Sequence, residues 1–174
     1  MKRLVLLILI LICLVISSYI TFADTSKEWV NKGKEFYSSG DYKKAIDAYT
    51  RALEINPTDA MIYSSRGLVH LESGNFYKAI IDFNNAIDLD HPKAADVYFR
   101  RGMAYEKLGK YQQAINNYSK TIALSPKNGT AYFFRGIVYI NLMNYNNGYN
   151  DIKTAARLGD KKAQYFLKSR RIRW

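Results

Sequence analysis

Hydrophobic and aromatic positions recur along most of the chain with a spacing of 34 or 35 residues. Each copy is centred on a glycine, namely Gly33, Gly67, Gly102 and Gly136. An aromatic residue lies four positions before each glycine, a small residue twelve positions after it and a large apolar residue sixteen positions after it: Trp29, Tyr63, Tyr98 and Tyr132; Ala45, Ala79, Ala114 and Gly148; Tyr49, Phe83, Tyr118 and Ile152. Since apolar residues within each unit follow the i, i+3, i+4, i+7 pattern, each unit is predicted to form two helices of about 12 to 14 residues.

Glycine and proline predict where these helices end. The first helix of a unit is expected to stop at a glycine in left-handed conformation. These glycines are Gly40, Gly74 and Gly109. In the fourth unit Asn144 is expected to take the place of the glycine. The second helix is expected to end before a proline, which cannot continue it; the prolines are Pro57, Pro92 and Pro126. Thr58 and Asp59 are predicted to cap the next first helix. The extra residue of the second unit is predicted to lie in the loop near His91.

This pattern resembles the tetratricopeptide repeat family over about residues 26 to 162. The segment Tyr42–Leu53 carries a full second-helix signature, with Tyr42, Ala45 and Tyr49 at the family's spacing. The resemblance implies an all-α fold, an α-α superhelix (solenoid) of four helix-turn-helix units plus a C-terminal capping helix. The predicted units are 26–59, 60–94, 95–128 and 129–162, followed by a basic capping helix and tail at 163–174. The stretch Ala155–Gln164 also resembles a junction of the Sel1-like subfamily.

The amino terminus has the features of a targeting segment. Lys2 and Arg3 precede an unbroken apolar run from Leu4 to Ile16, and small residues follow before Asp24. Residues 1–23 are therefore predicted to be a secretory signal peptide cut after Ala23. The alternative is an uncleaved membrane anchor formed by residues 4–23, which are long enough to span a bilayer. Both alternatives place the remaining chain outside the cytoplasm, in the periplasm or secreted.

The sequence contains no motif of a known catalytic or metal centre. It has no phosphate-binding glycine loop, no metal-spaced histidine cluster and no nucleophile elbow. Its one cysteine, Cys13, lies in the apolar run, so neither a disulfide nor a cysteine zinc site can form within the chain. Of its two histidines, His70 is expected to be a packing residue and His91 a solvated loop residue. We therefore expect no enzyme activity, no cofactor, no metal and no small-molecule substrate.

The resemblance implies a concave groove lined by the first helix of each unit, in which a peptide or partner helix binds. The candidate groove residues are Val30, Lys34, Ser64, Leu68, Phe99, Arg100, Met103, Phe133 and Ile137. The alternative is that the apolar members of this set only contact the neighbouring first helix. Some family members hold a partner's terminal carboxylate with a Lys, Asn, Asn, Lys, Arg clamp, and only Arg100 matches that clamp here; the matching positions are Val30, Lys34, Ser65, Asp96 and Arg100.

Positive charge is concentrated at the carboxyl terminus. The chain has 26 Lys and Arg against 15 Asp and Glu, a net charge of +11. Residues 151–174 alone have eight basic and two acidic residues, a net charge of +6. The basic tail consists of Lys161, Lys162, Lys168, Arg170, Arg171 and Arg173. Such a tail can contact an anionic membrane surface or an acidic partner, whereas an exported protein is not expected to meet nucleic acid.

Three further arginines, Arg66, Arg101 and Arg135, each precede a repeat glycine. Their stems are expected to pack on a neighbouring ring while the charged heads stay in water.

These observations support two hypotheses. The first is a non-enzymatic protein-protein interaction scaffold, exported to the cell envelope, that binds a peptide or helix of an unidentified partner in its concave face. The second is a membrane-tethered structural envelope factor whose basic C-terminal helix contacts anionic lipid or another polyanion.

Overall fold

The computed structural model describes Ile12 and residues 25–174, and residues 25–174 form nine α-helices. The helices are α1 (25–38), α2 (Tyr42–Ile55), α3 (Ala60–Glu72), α4 (Phe76–Asp88), α5 (Ala94–Lys107), α6 (Tyr111–Leu124), α7 (Gly129–Asn141), α8 (Tyr145–Arg157) and α9 (Lys161–Ser169). Apart from Ile12, the predicted signal peptide or anchor lies outside the described residues, as does Cys13. Among the described helices, none has both the length and the hydrophobicity needed to cross a bilayer.

A three-residue turn joins the two helices of every unit. Its middle residue has a positive φ in all four units, and in the first three it is the predicted glycine: Gly40 (78°), Gly74 (80°) and Gly109 (71°). In the fourth unit this residue is Met143, with a φ of 61°. The prediction for Asn144 was therefore wrong, because Asn144 is the next residue and instead caps α8 by accepting from the amide of Asn147 at 3.4 Å.

The connections between units are longer. Four residues join α2 to α3 and four join α6 to α7, whereas five residues, 89–93, join α4 to α5. The predicted insertion near His91 is thus confirmed, and Asp90 accommodates it with a φ of 52°. Asp59 caps α3 as predicted, accepting from the amides of Met61 and Ile62 at 2.8 and 3.3 Å. Thr58 does not, since its hydroxyl donates to Asn56 Oδ1 at 3.3 Å instead.

Helix α9 follows α8 through a turn of the type found inside a unit. The turn has three residues, its Gly159 has a φ of 89°, and Asp160 caps the helix by accepting from the amide of Ala163 at 2.9 Å. Because α9 begins at Lys161, both Lys161 and Lys162, which the sequence prediction placed in the fourth unit, belong to this last helix.

The core is a series of four apolar clusters along the solenoid. The first joins α1 to α3, the second α3 to α5, the third α5 to α7 and the fourth α7 to α9. In the last cluster the fully buried Ala163 and Leu167 of α9 pack with Ile152 and Ala155 of α8. This confirms the predicted capping helix, which covers the apolar face that a terminal repeat would otherwise expose.

Each repeat glycine provides space for the large side chain sixteen residues later. A methyl group added at Gly67 would lie 2.9 Å from the Phe83 ring, and one at Gly33 would lie 2.7 Å from the Tyr49 ring. In the fourth unit both Gly136 and Gly148 lack a side chain, and a Cβ on either would lie 2.9 Å from the other's carbonyl oxygen. The glycines therefore let the paired helices approach each other closely.

Arginines preceding the repeat glycines join neighbouring units through hydrogen bonds. Arg66 donates from Nε and Nη2 to the two oxygens of Asp82, at 2.9 and 2.7 Å, and from Nη1 to Thr50 Oγ1 at 3.0 Å. Arg135 donates likewise to Asp151, at 2.7 and 2.9 Å, and to a serine hydroxyl of α6 at 2.9 Å. The expectation of solvated heads was wrong, because acceptors lie on the second helix of the same unit and on that of the preceding unit.

The expected ring contact is present as well. The guanidinium of Arg66 lies 5.8 Å from the centroid of the Tyr63 ring, and that of Arg135 lies 5.5 Å from the centroid of the Tyr132 ring. The charged heads therefore lie near rings of their own helices while they bridge two units.

Candidate protein-binding surface

The polar half of the predicted groove runs across α1, α3 and α5. Burial and the Glu72 carboxylate raise the pKa of Tyr37, while the Arg100 guanidinium partly opposes the rise. These three side chains belong to three successive first helices and lie close enough to interact electrostatically. Of the predicted residues here, Lys34 is exposed, whereas the others are half-buried: Val30, Ser64, Leu68 and Arg100.

The apolar half of the predicted groove forms a run of aromatic rings. Phe99 lies 5.5 Å from both the Tyr118 and the Phe134 ring centroids. Phe133 continues the run with an edge-on contact to Phe134 at 5.7 Å and another to Phe166 of α9 at 6.3 Å. Aromatic pairs prefer such edge-to-face geometry, which fixes the ring orientations. The phenylalanine rings thus contact their neighbours while staying partly exposed, whereas Tyr118 is fully buried.

The other two predicted apolar residues have the same character. Met103 is half-buried against the cluster that joins α5 to α7, and Ile137 against the cluster that joins α7 to α9. Both therefore pack partly into the core and leave only part of their side chains exposed.

A cleft opens where the aromatic run reaches α9. It has a volume of about 420 Å³, and we name it the C-terminal cleft, lined by Phe133, Lys161, Lys162, Tyr165, Phe166, Ser169 and Arg170. The structure therefore brings one predicted groove residue, Phe133, together with three residues of the predicted basic tail. The remaining tail residues, Lys168, Arg171 and Arg173, are exposed and do not line the cleft.

Two cations of the cleft lie over aromatic rings, one over Phe166 in the cleft and one over the neighbouring Phe134. The Arg170 guanidinium is 3.8 Å from the Phe166 centroid, and the Lys162 ammonium is 5.4 Å from the Phe134 centroid. These contacts hold positive charge beside an apolar floor. No carboxylate lines the cleft among the described residues. The nearby Asp160 is already engaged, since it caps α9 and accepts from the Thr130 hydroxyl at 2.9 Å.

Tyr165, Phe166 and Ser169 line the cleft but were not among the residues predicted from the sequence to form a site. Tyr165 is 76% exposed, the most exposed of the large hydrophobic residues described. The signal was present in the helical period: residues four apart share a face of a helix. The series 161, 165, 169 and 162, 166, 170 therefore form adjacent stripes, the first opposite the buried Ala163 and Leu167 and the second beside them.

The two histidines are both core residues. His70 is 6% exposed, with Nε2 at 3.9 Å from Asp82 Oδ2, as expected for a packing residue. His91 is also 6% exposed, and its Nδ1 accepts from the Lys93 amide at 3.0 Å. The expectation of a solvated His91 was wrong, because the five-residue connection folds back onto the end of α4. Residues 25–174 contain no cluster of His, Cys, Asp and Glu suited to a metal ion.

Comparison with known families identifies the repeats. A family profile described as "TPR repeat" matches residues 33–74, and one described as "Tetratricopeptide repeat" matches residues 95–128. The chain is a tetratricopeptide repeat protein. Its paired helices, its glycine contacts and its capping helix are the features expected of such a solenoid.

Curated relatives of this tetratricopeptide repeat protein match about a third of its length. The SGT1 homolog of rice (Oryza sativa subsp. japonica) is 37% identical over 60 residues, which cover 34% of this chain and 16% of the rice protein. The chain thus spans about a sixth of that relative. Among solved structures, MamA has a TM-score of 0.75 at 26% identity, covering 81% of this chain and 82% of its own.

A peptide complex is also among the similar structures. The first TPR of Spaghetti (RPAP3), bound to the HSP90 peptide SRMEEVD, has a TM-score of 0.66 at 26% identity. It covers 70% of this chain and 95% of its own. The repeats and these neighbours point to protein binding rather than catalysis.

Proposed function

We propose that this chain is a protein-interaction scaffold whose C-terminal cleft holds a peptide or helix of a partner protein. The observation that carries the proposal is the cleft itself, in which Phe133 and Phe166 form an apolar floor beside Lys162 and Arg170. An apolar floor with a few placed polar groups is the usual form of a ligand site. The similar RPAP3 repeat domain with its bound peptide supports a peptide as the class of ligand.

The lining of the cleft favours a particular ligand. An aromatic or large aliphatic side chain would fill the floor, and an acidic residue beside it would meet the cations. Because no carboxylate lines the cleft among the described residues, nothing there repels such an acid. Partly buried charge pairs of this kind contribute more to specificity than to raw affinity.

This mode of binding differs from recognition of a terminal carboxylate. Of the five clamp positions only Arg100 carries the required residue, while Val30 and Asp96 have the wrong chemistry. The anchor of the proposed ligand is therefore an internal apolar side chain with an acidic neighbour.

Selection from a displayed peptide library, with the full chain in a non-ionic detergent as the target, tests the proposal. The selected peptides are expected to combine an aromatic or large aliphatic residue with an adjacent Asp or Glu. Binding is expected to fall at least about tenfold in the Lys162→Glu/Arg170→Glu variant, because two cleft cations become anions. The matched control is Lys43→Glu/Lys127→Glu, which reverses two exposed cations outside the cleft.

Helical circular dichroism must match across all three proteins, so that unfolding does not mimic loss of binding. Equal weakening in the control variant would show a general charge effect and reject the cleft. Selection of peptides without acidic residues would also contradict the proposed ligand chemistry.

We further propose that the protein acts outside the cytoplasm, on the basis of residues 1–23 alone. Sequencing the amino terminus of the protein purified from its host tests this. A start at Asp24 supports export with cleavage, whereas an intact Met1 in the soluble fraction contradicts it. The rival hypothesis of a lipid-contacting tail has less support, since two of the six tail cations, Lys162 and Arg170, lie over the Phe134 and Phe166 rings.

A further inference from the structure

The arginine that precedes the repeat glycine lacks a carboxylate partner in the third unit. In the second and fourth units the residue sixteen positions later is Asp82 or Asp151, and it accepts from both Nε and Nη2 of its arginine. In the third unit that residue is Asn117. Arg101 forms no ion pair with any described residue.

The amide cannot replace the missing carboxylate oxygen. Arg101 Nε donates to Asn117 Oδ1 at 2.8 Å, and Nη1 donates to Asn84 Oδ1 at 2.6 Å. The other end of the Asn117 amide, Nδ2, is itself a donor and donates to the Gln113 carbonyl oxygen at 2.7 Å. Arg101 Nη2, whose counterpart in the other two units donates to an aspartate, therefore has no acceptor within the described part of the chain.

Arg101 also lines a pocket of about 610 Å³, together with Tyr98, Asn116, Asn117, Ser119 and Lys120. The lining has two cations and, among the described residues, no carboxylate. The Arg101 guanidinium lies 5.2 Å from the Tyr98 ring centroid, which holds it at the pocket wall. Ser119 and Asn116 add further hydrogen-bonding groups.

The other two units show which ligand suits the free Nη2 group. There Nε and Nη2 bind the two oxygens of one carboxylate, the geometry that arginine favours. In the third unit Nε already donates to Asn117 Oδ1, so an external carboxylate would bind at Nη2, beside that amide. We propose that the Arg101 pocket is a second binding site, which takes a carboxylate side chain from an acidic segment of a partner protein. The external carboxylate supplies the charge that aspartate supplies in the second and fourth units. The site shares no lining residue with the C-terminal cleft.

Nuclear magnetic resonance of the arginine Nε–H groups in the full chain, in a non-ionic detergent at constant ionic strength, tests this proposal. Tetraglutamate is the probe, tetraglutamine is its uncharged control, and glutarate and inorganic phosphate are the small anions. Tetraglutamate is expected to shift the Arg101 Nε–H signal saturably. The signals of Arg66 and Arg135 serve as internal controls and are expected to stay in place, because aspartates already occupy them.

The Asn117→Asp variant provides the decisive comparison, since it should fill the site from within and keep the chain folded. Tetraglutamate affinity at Arg101 is expected to fall at least tenfold in this variant. If glutarate binds as well as tetraglutamate, carboxylate recognition is still supported, and small dicarboxylic acids are then a further source of the bound carboxylate. Three results would overturn the proposal: no saturable shift at Arg101, equal shifts at Arg66 and Arg135, or phosphate binding as tightly as tetraglutamate.

Discussion

Arg66 and Asp82 lie sixteen residues apart in the chain and form a two-bonded ion pair between the two helices of one repeat, at 2.7 and 2.9 Å. The Asp82 side chain is 3% exposed and that of Arg66 is 20% exposed. Arg66 also donates to Thr50 in the preceding repeat, so this one side chain joins three helices. The stability of the stack therefore depends on polar contacts as well as on apolar packing.

Replacing Asp82 with Asn should destabilise the solenoid. The change leaves the Arg66 charge without its counter-ion, and we expect the free energy of unfolding to fall by roughly 2 to 4 kcal/mol. Urea unfolding measures this fall, and Glu54→Gln, at an exposed position of α2, is the control. An Asp82→Asn variant as stable as the wild type would show that the ion pair does not contribute to repeat stacking.

Replacing Gly67 with Ala should also destabilise the protein, although alanine is the better helix former. The added methyl would lie 2.9 Å from the Phe83 ring. We expect a loss of roughly 1 to 3 kcal/mol from overpacking. Phe83→Leu should lower the free energy of unfolding less in the Gly67→Ala variant than in the wild type, because the smaller side chain relieves the clash with the added methyl. If thermal unfolding shows that the stability loss of the double variant equals the sum of the two single losses, the proposed contact is rejected.

Replacing Met143 with Gly should stabilise the protein. Met143 has a φ of 61° and is 74% exposed, at the place where the other three units have glycine. Removal of the left-handed strain outweighs the greater freedom of glycine in the unfolded chain, by about 0.5 to 1 kcal/mol. The control variant is Met143→Ala, which removes the same side-chain contacts and keeps the left-handed strain. The melting temperature should rise in the Met143→Gly variant and not in the Met143→Ala variant.

Folding stability should fall as the pH drops below neutral, because of the two histidines. Burial lowers the pKa of His70 below its usual 6.5, and the Asp82 carboxylate partly opposes this shift. Burial also lowers the pKa of His91, with Asp96 and Asp59 opposing it. Between the unfolded and folded pKa values the unfolded state binds more protons, so stability rises with pH.

The histidine contribution is thus fully present above pH 6.5 and is lost as the pH falls through the folded pKa values. Urea unfolding at several pH values between about 5 and 7.5 avoids most carboxylate titration. In the His70→Gln/His91→Gln variant the slope of unfolding free energy against pH should be flatter than in the wild type. An unchanged slope would show that other groups govern the pH dependence.

Much of the fold followed from the sequence because its causes are local. Helical periodicity, the glycines at the turns and the aspartate cap each act within a few residues, and the repetition of the unit made the solenoid predictable. Local rules failed where one unit departs from the others. In the fourth unit Asn144 was expected to take the left-handed conformation, but that position, seven residues after the repeat glycine, is occupied by Met143.

The candidate site was only partly predictable. Phe133 and the basic tail were both expected to be functional, on separate surfaces. Their meeting in one cleft depends on the tight turn at Gly159, which folds α9 back against α7 and α8. No local pattern determines which faces of two helices meet across such a turn.

By itself, the sequence determined the repeat, its helices and the excess of positive charge at the carboxyl terminus, since each of these depends on residue type and spacing. Only the tertiary structure decided the partners of the arginines, the burial of His91 and the composition of the C-terminal cleft. These features depend on contacts between side chains from different helices, often sixteen or more residues apart. Apolar periodicity predicts that two helices pack together, but a hydrogen bond or an uncompensated charge depends on the distance between particular atoms, which only the assembled solenoid sets.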